Sequence, residues 1–271
     1  MGTPTLRSKD TSNLIYHYTN ALTAVEFILH DMTLRLGPVN DTNDPAEDGP
    51  PTPVTGVGLG VQQEMAHRLF ELDKLKRGRQ LACFSRDRNA PYNGPDPISS
   101  RGYGRDRMWA QYADNHRGVC LFFDREVFEI EFKKQLQDKG FAMAMPVEYN
   151  DVPSVIPCSI HVPIEQVITK NARERFFTKR KDWESEQEYR FLFVPKDPDA
   201  APPHEYIGIH EALVAICVGH RFPVGLRPCI EAICDREKIN AFKMKYINGV
   251  PRADLYYPSQ ATCYPLRIPD L

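Results

Sequence analysis

Four groups of residues in this sequence have types and spacings that suit chemistry. The first is Tyr16-His17-Tyr18-Thr19. Side chains alternate along a strand, so His17 and Thr19 would share a face. A histidine at a strand end, beside a helix N-terminus, can hydrogen-bond a ribose hydroxyl, and flanking tyrosines can stack on a ring. The same residues would equally make a core histidine between two packing tyrosines. The second group is Asn40, Asp41, Thr42, Asn43, Asp44, Pro45, Ala46 and Glu47. Short polar side chains before a proline favour a turn because they bond local backbone. Lining a cleft, they would be acceptors for a substrate. Their spacing is not that of an EF-hand. The third is Cys83-Phe84-Ser85, together with Trp109 and Tyr112. Residues three apart are neighbours on a helix face, and such an aromatic pair is more often core than clamp. The fourth is Glu186-Gln187-Glu188-Tyr189-Arg190. On a strand, Glu186, Glu188 and Arg190 would point one way, and Gln187, Tyr189, Phe191 and Phe193 the other. Like charges this close raise one carboxylate pKa, while the arginine lowers it. Such a face suits a polar cleft or a solvated ion ladder.

These groups need elements to hold them. Hydrophobic periodicity predicts short strands at 14–18, 33–36, 81–85, 118–123, 141–149, 186–194, 212–218 and 242–247. It predicts helices from Thr19 or Asn20 to about 31, then at 61–77, 106–115, 125–137, 163–177 and 223–238. Loops rich in turn residues fill 37–60 and 87–105, and a proline-punctuated tail closes the chain. Gly56, Gly58 and Gly60 lack the context of a dinucleotide fingerprint. Strands and helices alternate irregularly, which favours α+β over a doubly wound sheet. The expected layout is a disordered lead at 1–13 and one domain over 14–271.

Composition narrows the function classes. The chain has 271 residues, 42% of them apolar, and a formal charge of −2, which argues against nucleic-acid binding by bulk charge. A local basic run, Arg173, Arg175, Lys179, Arg180 and Lys181, is either a solvated face or a phosphate contact. No apolar run reaches 18 residues, so no membrane span is expected. The polar N-terminus predicts no secretory signal. Seven cysteines in mostly apolar strings read as reduced, buried thiols of a cytoplasmic protein. Cys158 and His161 find no second pair with zinc spacing, so no structural metal is expected.

Taken in order, YHYT, NDPAE, ACFS, MWAQYADNHRGVCLFFD, WESEQEYRFLF and ICVGHRF carry a resemblance over roughly residues 14–247. The series resembles a mainly bacterial family catalogued as domain of unknown function 2971. It is also distantly similar to ADP-ribosyltransferases, which carry a His on the first strand, a Ser or Tyr on a middle strand or helix, and a Glu on a late strand. The YHYTN opening resembles that of the enzymes that ADP-ribosylate DNA. The middle motif departs from the pattern, with CFS where Ser-Thr-Ser would stand.

This resemblance implies split mixed or antiparallel β-sheets flanked by helices, and NAD as the substrate. His17 would hold the nicotinamide-side ribose, with Tyr18, Thr19, Ser85, Tyr112 and Asn43 around it. Glu188 would bind the ribose 2′-hydroxyl and stabilise an oxocarbenium-like transition state. Glu186 would orient or deprotonate the attacking group. The acceptor would be a nucleic acid or a protein, and the setting a bacterial toxin or antiphage effector. Two other readings stay open. One is a non-catalytic module of the same fold that binds a nucleotide or a partner. The other is a metal-dependent nuclease using Asp41, Asp44 and Glu47.

Overall fold

Strand β1, Leu14–Thr19, is buried along almost its whole length. A strand apolar on both faces belongs in the middle of a covered sheet. In the computed structural model, which describes residues 13–39, 43–44, 78–88, 98, 100–151 and 176–259, it lies there. It pairs antiparallel with β5, Val119–Asp124, over six positions. On its other side it meets β4, Gln80–Arg86, at only two, Ile15 with Arg86 and Tyr16 with Ser85. β4 pairs in turn with β9, Glu188–Pro195, and β9 with β6, Gly140–Pro146. Beyond β5 come β11, Leu213–Val218, then β12, Asn240–Ile247, and β13, Val250–Tyr257. A short β3, Gly37–Pro38, adds to β4. The result is one nine-stranded sheet, antiparallel except where β11 and β12 run parallel. Two ribbons stand apart: β2, Thr33–Arg35, with β10, Tyr206–Gly208, and β7, Glu148–Tyr149, with β8, Thr178–Lys179.

Helices cover the sheet. A π-helical segment, Thr23–Ile28, runs into α1, Leu29–Asp31, and the Asn20 side chain caps its start by accepting from the Thr23 amide at 2.8 Å. α2, Asp106–Tyr112, lays Trp109 edge-on against Tyr18 on one face. On the other face, α3, Arg125–Leu136, buries Phe128, Phe132 and Leu136 among Phe84, Phe123 and Phe191. The α4 helix, Arg227–Glu237, carries the chain between the parallel strands and buries Ile230 and Ile233.

The α+β reading holds, although the sheet is continuous where the resemblance implied split sheets. Several element boundaries shift. The late strand starts at Glu188, and Glu186 instead ends a 3₁₀ helix, Lys181–Glu186, because Gln187 adopts a left-handed turn. The 106–115 helix stops at Tyr112, since Asp114, Asn115 and His116 all have positive φ. These are residue types that tolerate that region. Ahead of the tail expected from Tyr256, the chain forms a further strand, β13, that runs to Tyr257. Asn248 and Gly249 at φ 54° and 78° form the tight turn that joins β12 to β13. The 141–149 strand is broken at Val147, and the 223–238 helix opens with a 3₁₀ turn, Val224–Leu226. The helix at 61–77, most of that at 163–177, the Gly56–Gly60 segment and Asn40–Thr42 with Pro45–Glu47 lie outside the described residues.

Candidate functional site

The site begins where the sheet parts. After Tyr16 pairs with Ser85, β1 and β4 diverge, and the amino-terminal half of β4 pairs with β3 instead. The carbonyl of Cys83 lies at this opening, and His17 Nδ1 bonds it at 3.0 Å. A carbonyl can only accept, so Nδ1 carries the proton and neutral His17 keeps an acceptor at Nε2. Burial pushes the imidazole below its ordinary value of 6.5, against the opposing pull of the Cys83 carbonyl. His17 is therefore a neutral ring at neutral pH.

The parting leaves a cavity of about 690 Å³, within the usual range for small-molecule sites. The π-helical wall contributes Thr23 and Phe27, and the rim carries Arg35 and Tyr206. Phe27 and Tyr206 are more than half exposed. The far wall is polar and ordered. Lys179 Nζ lies 2.8 Å from Glu188 Oε2 and 3.2 Å from Glu186 Oε2. Arg190 grips Glu188 with both ends of its fork, Nε to Oε1 at 2.7 Å and Nη2 to Oε2 at 3.0 Å. The Tyr112 hydroxyl donates to Glu186 Oε1 at 2.5 Å. Two carboxylates and two cations thus balance in a region that is almost fully buried. A buried charge survives only with such pairing.

His17, Thr19, Asn43, Ser85, Tyr112, Glu186 and Glu188 all border this one cavity, although they are spread along the chain from 17 to 188. Tyr18 borders it too, but its ring packs on Trp109 at 5.2 Å and its hydroxyl donates to the Gly102 carbonyl at 2.7 Å. Tyr16 packs on Phe122 and Tyr103. The flanking tyrosines therefore serve the core, not a bound ring, because alternation turns them to the face opposite His17. Ser85 is also spent on structure. Its hydroxyl donates to the Glu186 carbonyl at 2.6 Å and accepts from Arg105. Arg105 donates as well to the Glu186 carbonyl, so Ser85 and Arg105 fix the turn that aims Glu186. Trp109 is core, and its ring N–H donates to the Tyr103 carbonyl.

Glu186 and Glu188 do converge with Arg190, but by a different route from a shared strand face. Glu186 arrives from the 3₁₀ helix and Glu188 from the strand. The principal residue missed is Lys179, which the sequence offered only as part of a basic run. Its neighbours Arg180 and Lys181 are exposed, while Lys179 turns inward. Alternation around Thr178–Lys179 was the available signal, over too few residues to use. Cys83 was read as packing. Burial, with the negative charge of Glu188 nearby, raises its pKa well above the ordinary value, so it is not a thiolate nucleophile.

Burial alone would raise the Glu188 pKa, but Arg190 and Lys179 outweigh it and hold the carboxyl at about 2, against an ordinary value of 4.5. A depressed carboxylate pKa adds stability above the unfolded value and loses it as pH falls through the folded one. The gap corresponds to roughly 3 kcal/mol. The protein should therefore lose about that much extra stability between pH 4.5 and pH 2, relative to Glu188→Gln. His17 adds an earlier loss, beginning as pH falls through 6.5. Denaturant titrations of both proteins across this range check it. Parallel curves would mean that Glu188 is not ion-paired.

Among the described residues, no group of three or more His, Cys, Asp and Glu side chains could hold a metal ion. Asp41 and Glu47 lie outside them. No helix among the described residues is long and apolar enough to cross a membrane. The cysteines described, 83, 120, 217, 229 and 234, are all unbridged.

Residues 108–191, from α2 into β9, match a family described as "Protein of unknown function (DUF2971)". The matched stretch contains Tyr112, Lys179, Glu186, Glu188 and Arg190. Comparison with curated proteins gave no match, nor did comparison with solved structures.

Proposed function

We propose that this protein is an ADP-ribosyltransferase-like enzyme that uses NAD as substrate and modifies a nucleic-acid or protein acceptor. The observation that carries the reading is the convergence of His17, Ser85 and Glu188. They stand on β1, β4 and β9, three neighbouring strands, and border one cavity. The strand order is that of the three-part resemblance. Tyr16 pairs with Ser85 and Ser85 with Glu188, so Glu188 stands on the sheet face opposite His17, and a ligand would reach both through the gap between β1 and β4.

The residues fit such a substrate. The ribose would lie between neutral His17 and Glu188, and the ionised Glu188 would accept from its 2′-hydroxyl. A carboxylate has about four lone-pair positions, so Glu188 can accept this bond beside those from Arg190 and Lys179. As the C1′–N bond breaks, its electron pair leaves with nicotinamide and positive charge grows on the ribose. A fixed carboxylate stabilises that charge without reorganising. Glu186 would take the proton of the attacking acceptor group as the new bond to C1′ forms. Arg35 at the rim suits a phosphate, and the exposed rings of Phe27 and Tyr206 suit a stacked base.

One observation favours a second reading. Both oxygens of Glu188 are already engaged by cations, as in a binding module where the pair is purely structural. Labelled NAD, incubated with the protein and with DNA, RNA or cell lysate, separates the two. Nicotinamide release with label transfer to one acceptor pool is the expected result. NAD binding by calorimetry without release would establish the binding module instead.

A further inference from the structure

We infer that Lys179 is a positioning residue that holds the Glu186 and Glu188 side chains together in one cavity wall. This deepens the proposed function and rests on that reading for its role in turnover, though not for its geometry.

The two carboxylates face different sets of neighbours. Glu188, on β9, faces Arg190 from its own strand, Cys83 from β4, Lys179 from β8, and the Tyr149 hydroxyl, which accepts from its backbone amide. Glu186 faces the Tyr112 hydroxyl from α2 and Lys179. Arg190 binds only Glu188 among the two, and its remaining arm goes to the Phe176 carbonyl at 2.7 Å. Among the described residues, the ammonium of Lys179 is therefore the group that touches both carboxylates. Its side chain is 6% exposed, so it lacks the freedom of a surface lysine. The Trp183 ring, 5.3 Å away, provides a further wall for it. A single compact cation between two oxygens does two things. It cancels the repulsion that would push them apart, and it sets their spacing. Trp183, Tyr112 and Arg190 cannot do both, since each reaches at most one carboxylate in these bonds.

Removing the charge has a direct consequence. In Lys179→Met, Glu188 would keep Arg190 but would face Glu186 with no cation between them. Burial, already the largest influence on Glu188, would then act with one counter-charge fewer. The protein would answer by binding a proton or by moving one carboxylate away. Lys179→Arg keeps the charge and should restore most of the effect, though a planar fork sets a different spacing.

The test is carbon NMR of side-chain carboxyls in protein labelled at glutamate, with Glu188 assigned by the signal lost in Glu188→Gln. In Lys179→Met the Glu188 midpoint should rise by at least about one pH unit, a tenfold gain in proton affinity, and in Lys179→Arg it should stay near wild type. An unchanged midpoint in folded Lys179→Met would overturn the inference, as would an equal rise in both variants. If Lys179→Met does not fold, Lys179→Arg and Lys179→Gln carry the same comparison. NAD turnover is measured alongside. A fall in kcat with little change in KM, together with an acid limb moved to higher pH, is expected. Should the wild type release no nicotinamide while the NMR shift occurs, the functional reading fails and the role of Lys179 stands.

Discussion

Replacing Glu188 with Gln should lower NAD turnover at least about a hundredfold, equivalent to roughly 3 kcal/mol or more of transition-state stabilisation. Gln keeps the shape and one acceptor but loses the charge that would face a cationic ribose. The same change acts on the fold. Lys179 and Arg190 both point at Glu188 in a buried region, and taking away one partner of such a set costs about 3 kcal/mol. That is a large share of a typical total stability of about 5–15 kcal/mol. Turnover must therefore be scored per folded molecule, by near-UV circular dichroism on the same sample. A folded Glu188→Gln protein with wild-type turnover would remove Glu188 from catalysis.

Trp109→Ala should destabilise the protein by about 3–5 kcal/mol, the usual cost of truncating a large buried aromatic. Trp109 is fully buried, packs edge-on against Tyr18 and donates its ring N–H to the Tyr103 carbonyl at 2.8 Å. Truncation opens a cavity and orphans that carbonyl. Trp109→Phe should cost less, because the ring volume is partly kept. Urea unfolding at fixed pH measures both. A loss below about 1 kcal/mol for the alanine variant would mean that this face of the sheet can collapse around the gap. The consequence reaches the site, because α2 carries Tyr112 to Glu186 from the same turn of helix.

Those two residues show what the sequence could and could not reveal. The spacing of Trp109 and Tyr112 indicated a helix with an aromatic face, and the structure splits the pair between core and cavity. The difference lies in which neighbour each meets, and no local pattern encodes that. Strand periodicity located β1, β4, β5, β9 and β11 well, because each is long and apolar enough to leave a signal. The two-residue strands β3 and β8 leave none, and Lys179 sits on the second. The hairpin at Asn248-Gly249 is a missed signal of another kind. Asn-Gly between alternating apolar runs is a strong short-range turn marker, and the prolines further on obscured it. Glu186 and Glu188 stand together for a reason other than a shared strand face. The left-handed Gln187 turns the chain between them, and three-dimensional convergence replaces shared strand alternation.

The two-position contact between β1 and β4 has a mechanical meaning. Each of these strands is paired with its other neighbour over six positions, so the sheet divides into two plates joined by a narrow seam of Ile15–Arg86, Tyr16–Ser85 and the His17–Cys83 carbonyl bond. His17 belongs to one plate and Glu188 to the other. Any molecule that touches both is a cross-brace between them. A brace that binds only while the seam is closed stabilises the closed sheet by RT ln(1 + [L]/Kd). Occupancy of the cavity and resistance of the seam to opening become two readings of a single equilibrium.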